Sequence, residues 1–271
     1  MKTKLLTLGS LLFSFSVYSA EDLNPDTPDP GDHSKVSNMF EATYGIKGVG
    51  DENLNHLQLA IQQSGQFDNG HYFLGKAEIK ADEVIKNSQG DTDFEVTEFR
   101  ARYFQLAQFD SERFPVAGIS LDYIERGMQD DVTERMFALG AVTRTVTPLE
   151  NWLLFPYVMA VYAQNDDNYL YPGFADKNGW GVQFNVLNTF YLNKNGANFQ
   201  LNPYFTSLDF GGDLGTVNSL LVEYSLQSPI SDNKKHWLQF TYNQYFSDAN
   251  TTTFEHNRDD AELLLTYNYF F

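Results

Sequence analysis

From Met39 to the end of the chain, apolar and polar residues alternate with a period of two. Leu57, Leu59 and Ile61 alternate with His56, Gln58, Ala60 and Gln62, and Phe99, Ala101 and Tyr103 alternate with Glu98, Arg100 and Arg102. Ala117, Ile119, Leu121 and Tyr123 oppose Gly118, Ser120 and Asp122. Leu220, Val222, Tyr224 and Leu226 oppose Glu223, Ser225 and Gln227, and Leu238, Phe240 and Tyr242 oppose Gln239, Thr241 and Asn243. Successive side chains of a strand point to opposite faces, so this period predicts strands with two different surroundings. Twelve such segments are predicted, at 39–49, 54–64, 71–82, 94–108, 114–127, 134–147, 151–164, 179–193, 198–210, 218–228, 236–248 and 260–271.

The connectors between them carry turn residues and alternate in length. GQFDNG, DSER, TPLEN, NKNGAN and SPISDNKK are mostly short; EVIKNSQGDTD, QNDDNYLYPGFADKNG and ANTTTFEHNRDD are long; GDENLN breaks the rule. An even number of strands with short turns at one end and long loops at the other predicts an all-β fold. The specific expectation is a transmembrane up-and-down antiparallel β-barrel of twelve strands, with its greasy face toward lipid. A soluble periplasmic sandwich or closed barrel would turn the same face toward a core. Pro156 and Pro203 lie inside predicted strands, where each removes a ladder donor. Strand seven, NWLLFPYVMAVYA, is apolar on both faces, so its inward side must pack against something in the lumen or its geometry must be irregular.

The last ten residues, ELLLTYNYFF, form a strand that runs to the final residue, although chain termini usually fray. Leu263, Leu265, Tyr267, Tyr269 and Phe271 share one face; Glu262, Leu264, Thr266, Asn268 and Phe270 share the other. Open sheet edges are excluded from hydrocarbon, so this strand is expected to pair with the first near Phe40, Ala42, Tyr44 and Ile46.

Composition agrees with the pattern. Mean hydropathy is −0.39, a water-soluble average, yet 15% of residues are aromatic, with 23 Phe and 16 Tyr. A barrel reconciles the two because polar lumen residues dilute the lipid-facing ones. No run of ~18 apolar residues predicts a transmembrane helix. Lys2 and Lys4, the apolar stretch Leu5 to Val17, and the small residues Ser19 and Ala20 read as a secretory signal peptide, cleaved after Ala20 or Ser19. Residues 21–38, with three prolines and five acidic groups, read as an acidic periplasmic tail, with a lumen plug as the alternative, and 39–271 as the barrel. The formal net charge of −18 disfavours nucleic acid as a partner. There is no cysteine, which removes disulfides and thiolate metal sites.

The candidate chemistry lies on the inward face. By parity it carries Lys76, Glu78, Lys80, Glu98, Arg100, Arg102, Asp122, Arg144 and Glu223. These charges would either form a constriction that selects solutes or an ion-pair lattice that fills and supports the wall. The acidic loop residues Asp51, Glu52, Asp91, Asp93, Asp130, Asp131, Asp166, Asp167, Asp259 and Asp260 would bind divalent cations bridging lipopolysaccharide phosphates, or simply form a solvated rim. They lack calcium-loop spacing, so no metal site is assigned. The histidines do not cluster, His56 alone pointing inward near the outer end, and no nucleophile, base and orienter are visibly grouped. The expectation is therefore no enzyme and no cofactor. Tyr44, Tyr103, Tyr123, Trp180, Phe240, Tyr267 and Tyr269 are candidates for an interfacial aromatic girdle.

The C-terminal pattern resembles the assembly signal of Gram-negative bacterial outer-membrane β-barrel proteins, which commonly end on Phe with apolar residues at alternate preceding positions. Here those positions are Phe271, Tyr269, Tyr267, Leu265 and Leu263. The resemblance implies insertion into the cell outer membrane by the barrel-assembly machinery, in contact with outer-membrane lipid and lipopolysaccharide. It spans the mature chain as architecture and carries no substrate. The His-x-Ser-Asn-Gly run of the outer-membrane phospholipase family is absent, and the many lumen arginines of oligogalacturonate and sialic-acid porins are reduced to Arg100, Arg102 and Arg144. The expected function is a porin-like channel for passive diffusion of small hydrophilic solutes. The alternatives are a non-conducting structural or surface-binding barrel and, behind it, a lipid-modifying enzyme.

Overall fold

Alternating β-prone sequence yields twelve strands and no other extended elements among the described residues. A computed structural model describes residues 29–31, 38–49, 53–85, 91–126, 134–165, 176–212, 216–247 and 261–271. The strands are β1 (Met39–Lys47), β2 (Leu54–Gln66), β3 (Tyr72–Ile85), β4 (Thr92–Gln108), β5 (Val116–Arg126) and β6 (Glu134–Arg144). They continue as β7 (Trp152–Gln164), β8 (Asn178–Tyr191), β9 (Asn198–Asp209), β10 (Thr216–Pro229), β11 (His236–Ser247) and β12 (Ala261–Phe270). Each strand pairs antiparallel with its sequence neighbours, and β1 pairs with β12 to close the barrel. The closing register sets Phe40 against Tyr269, Ala42 against Tyr267, Tyr44 against Leu265 and Ile46 against Leu263. Closure satisfies backbone groups that would each cost several kcal/mol if left unpaired in hydrocarbon.

Met39 and Phe270 mark what we call the terminal end; the opposite rim is the far end. Short turns join strands at the terminal end, closed by hydrogen bonds such as Leu192 N–H to Ala197 O at 2.8 Å and Ile230 N–H to His236 O at 2.8 Å. The signal peptide and the loop residues Asp51, Glu52, Asp130, Asp131, Asp166, Asp167, Asp259 and Asp260 lie outside the described residues.

The outer face is the predicted greasy one. Leu57, Leu59, Ile61, Leu139, Val158, Phe184, Phe240 and Leu265 are all exposed, and Trp180 is 65% exposed. A soluble fold would bury this belt, whereas here the polar parity is inside. That inversion is the signature of a membrane-spanning barrel.

Both prolines sit where a ladder breaks. The β6–β7 pairing runs from Arg135–Gln164 to Val142–Tyr157 and stops beside Pro156, resuming only as an isolated bridge between Thr145 and Leu154. The β8–β9 pairing is interrupted between Asn185–Tyr204 and Thr189–Gln200, around Pro203. There side chains replace the ladder: Asn188 N–H donates to Asn202 Oδ1 at 2.8 Å, and Asn188 Nδ2 donates to Leu201 O at 2.7 Å. The wall also needs close backbone approaches on its inner face, at Gly45, Gly118, Gly140 and Gly181. A Cβ at Gly118 would lie 1.8 Å from Gln105 O, and one at Gly181 would lie 1.8 Å from Ser207 O. Only glycine lets neighbouring strands coil this sharply.

Candidate functional site: the barrel interior

The inward parity of twelve strands divides the interior into three chemically distinct sectors. Strands β1 to β5 carry most of the charges, β5 to β8 carry an apolar mass, and β8 to β12 carry amides and hydroxyls with Glu223 and Glu262 among them.

The charged sector is a lattice of ion pairs. Lys76 Nζ lies 3.0 Å from Glu41 Oε2 and 3.4 Å from Glu78 Oε2, and Arg102 Nη2 reaches the same Glu78 oxygen at 2.8 Å. Lys80 Nζ and Arg126 Nε hold Glu98 from its two neighbouring strands at 2.8 Å and 2.6 Å. Arg100 grips Asp122 with two parallel bonds, Nε to Oδ1 at 3.0 Å and Nη2 to Oδ2 at 2.5 Å. Fork-to-fork pairing of this kind is the strongest side-chain bond available in the lattice. Lysine 80 and Arg126 sit directly opposite Glu98 in register, but Arg100 and Arg102 each reach one level diagonally. Long side chains make that reach possible on a coiled wall.

Nearer the far end, Asp82 is buried and accepts three bonds: from Lys47 Nζ at 3.2 Å, from Thr97 Oγ1 at 2.7 Å, and across 2.5 Å to His56 Nδ1. Thr97 turns inward because β4 gains a residue at the register shift opposite Lys80 and Ala81. A β-bulge thus re-aims a side chain.

The apolar sector explains strand seven. Its inward residues Leu153, Phe155, Tyr157, Met159, Val161 and Ala163 are all 5% exposed or less. They pack against Ile124, Met136, Leu187, Leu208 and Val217, with Phe104 set edge-on to Tyr157 at a 6.2 Å ring separation. A strand apolar on both faces is what a wall needs when one face meets lipid and the other fills part of its own lumen.

The terminal mouth is narrowed from within. The sequence reads residues 21–38 as a tail outside the barrel; three of them, Asp29, Pro30 and Gly31, sit inside it instead. Tyr191 OH donates to Asp29 Oδ2 at 2.5 Å, and Thr189 Oγ1 donates to Gly31 O at 2.8 Å. The fit is close: a Cβ on Gly31 would lie 2.7 Å from Thr189 Cγ2. Trp237 is 1% exposed and packs with Met39 and Phe270, its Nε1–H donating to Lys234 O at 2.7 Å.

Between the sectors runs a cavity of about 300 Å³, counted as volume open to the centres of water molecules. Its lining extends from Asp29 and Pro30 at the terminal end to Val217, Tyr245 and Phe246 at the far end.

Of the nine charges predicted inward, Lys76, Glu78, Lys80, Arg100, Arg102 and Glu223 line this cavity. Glu98 and Asp122 are buried behind it as partners of the bases. Arg144 stands on the inward parity at the terminal end of β6, outside the cavity lining. The sequence reading omitted Glu41, Lys47, Asp82, Arg126, Glu134 and Glu262. Parity on β1, β3, β5, β6 and β12 was a sufficient signal for all six. No sequence signal pointed to Asp29.

No protein-family model matches this chain, and no curated protein matches it. Similar solved structures exist. An outer-membrane channel of the COG4313 type from Pseudomonas putida F1 aligns with a TM-score of 0.60 at 9% identity, over 90% of this chain and 99% of that one. The fold is that of outer-membrane β-barrels. Outer membrane phospholipase A from Escherichia coli aligns at a TM-score of 0.49 with 10% identity, over 90% and 95% of the two chains. The β domain of the Bordetella autotransporter BrkA aligns at 0.46 with 10% identity, over 88% and 100%. Identities this low speak for architecture alone, and one architecture hosts many functions.

Proposed function

We propose that this protein is a channel of the outer membrane that passes small hydrophilic solutes by passive diffusion. The observation that carries the reading is the internal cavity: a space lined largely by charged and amide side chains, inside a wall whose outside is apolar. On this reading the signal peptide directs export, the closing strand is recognised through Phe271, Tyr269, Tyr267, Leu265 and Leu263, and both termini face the periplasm. The likeness in fold to an outer-membrane channel agrees with the location. Solutes would be small, because the apolar mass under β7 occupies a large part of the lumen.

An enzyme acting on lipid is disfavoured by geometry. The one His–Asp pair described inside the barrel, His56 and Asp82, faces the wet interior, away from the belt where acyl chains would lie. A second reading, a filled and non-conducting barrel, is favoured by Asp29–Gly31 within the terminal mouth. Reconstitution into a planar bilayer separates the two. Folded protein, verified by heat-modifiable gel mobility, is expected to give discrete conductance steps, and their absence would establish the filled barrel.

A further inference from the structure

Resting on the channel reading, we infer that the lumen prefers cations, and that Glu223 is the residue that sets the preference. The argument begins with where charge sits. Among the described residues the inward bases are Lys47, Lys76, Lys80, Arg100, Arg102, Arg126 and Arg144. All seven lie on β1 to β6. The inward carboxylates are more numerous: Glu41, Glu78, Asp82, Glu95, Glu98, Asp122, Glu134, Glu223 and Glu262 on strands, and Asp29 from the tail. The interior is therefore net negative.

Pairing makes the asymmetry larger than the count suggests. Lys47, Lys76, Lys80, Arg100, Arg102 and Arg126 each have a carboxylate oxygen within 3.4 Å. An anion entering the cavity would have to compete with a bonded carboxylate for every one of these bases. Glu223 is different. It projects from β10 into the cavity and accepts bonds from neutral groups, Asn202 Nδ2 at 2.7 Å and Ser225 Oγ at 3.4 Å. It has no ion-pair partner among the described residues. Two bonds from neutral donors hold its carboxylate in place without cancelling its charge.

Its position matters as much as its pairing. Glu223 pairs in register with Asn202 and Asn243, at mid-height in its strand, among walls of Gln200, Asn202, Gln239 and Asn243. Low-dielectric walls focus the field of a carboxylate that has no bonded counter-ion into the cavity it faces. A permeating cation meets a fixed carboxylate at mid-height and amide oxygens around it, which substitute for lost hydration. A permeating anion meets repulsion at the same level and no uncommitted base to offset it.

The test is the reversal potential of the reconstituted channel under a tenfold KCl gradient. The wild type is expected to favour potassium over chloride by roughly threefold or more. Glu223→Gln keeps the size and the hydrogen bonding and is expected to bring the ratio close to one, while Glu223→Lys reverses its sign. Asp209→Asn, which alters an exposed carboxylate on the outer face of β9, is expected to leave the ratio unchanged. Steps that reverse at zero or on the anion side in the wild type would overturn this inference alone. So would a ratio untouched by Glu223→Gln. A folded protein without conductance would instead overturn the channel reading beneath it.

Discussion

Replacing Arg100 with leucine tests whether the charged sector is structural. The guanidinium makes two bonds to Asp122, at 3.0 Å and 2.5 Å, and the two side chains are 17% and 6% exposed. Removing the arginine strands a carboxylate that is nearly sealed from water. Breaking a buried pair from one side typically costs 3–5 kcal/mol, most of it the desolvation of the charge left behind. The cavity brings some water to Arg100, so we expect the lower end, about 3 kcal/mol, or roughly a hundredfold in the folding equilibrium. The double variant Arg100→Leu with Asp122→Leu removes both charges together and leaves the net lumen charge unaltered. It is expected to recover most of the loss, because a buried pair exchanged for apolar groups is often neutral. The assay is reversible urea unfolding in detergent or lipid, followed by the fluorescence of Trp152, Trp180 and Trp237. The double-mutant cycle isolates the coupling. A single variant within 0.5 kcal/mol of wild type, or a double variant as damaged as the single one, would refute the claim that this pair is a buried strut.

Tyr191→Phe deletes the donor to Asp29, at a cost of about 1 kcal/mol to docking of Asp29–Gly31, and removal of residues 21–31 abolishes docking altogether. Both are expected to raise single-channel conductance, the deletion more; unchanged conductance in the deletion would show that this segment does not limit flow. Phe155→Ala should destabilise by about 3 kcal/mol in urea unfolding, since the ring is 1% exposed inside the apolar mass. Gly181→Val would force a Cβ against the Ser207 carbonyl, and the expected outcome is loss of the heat-modifiable folded band.

Strand existence was legible from period two, and so was closure of the last strand on the first near Phe40, Ala42, Tyr44 and Ile46, though not its residue-by-residue register. Edges were less so. β3 and β4 run on to Ile85 and from Thr92, past the expected limits of 82 and 94, because pairing beyond the register shift sustains them. Of the interior, the charges on β3, β4 and β5 could be read because one residue in two must point inward. Their diagonal pairing could not, since it depends on how the wall coils.

Sequence by itself determined the inside and the outside: alternation is a local property, written residue by residue, and a closed wall in lipid permits only one assignment of the two faces. Which inward residues meet depended on distances across the lumen. Only the closed barrel could place Asp29 beside Tyr191, 162 positions away, or leave Glu223 among amides while every base on β1 to β5 found a carboxylate. Contacts across a ring join parts of the chain that no local pattern links, so their geometry exists only once the ring is shut.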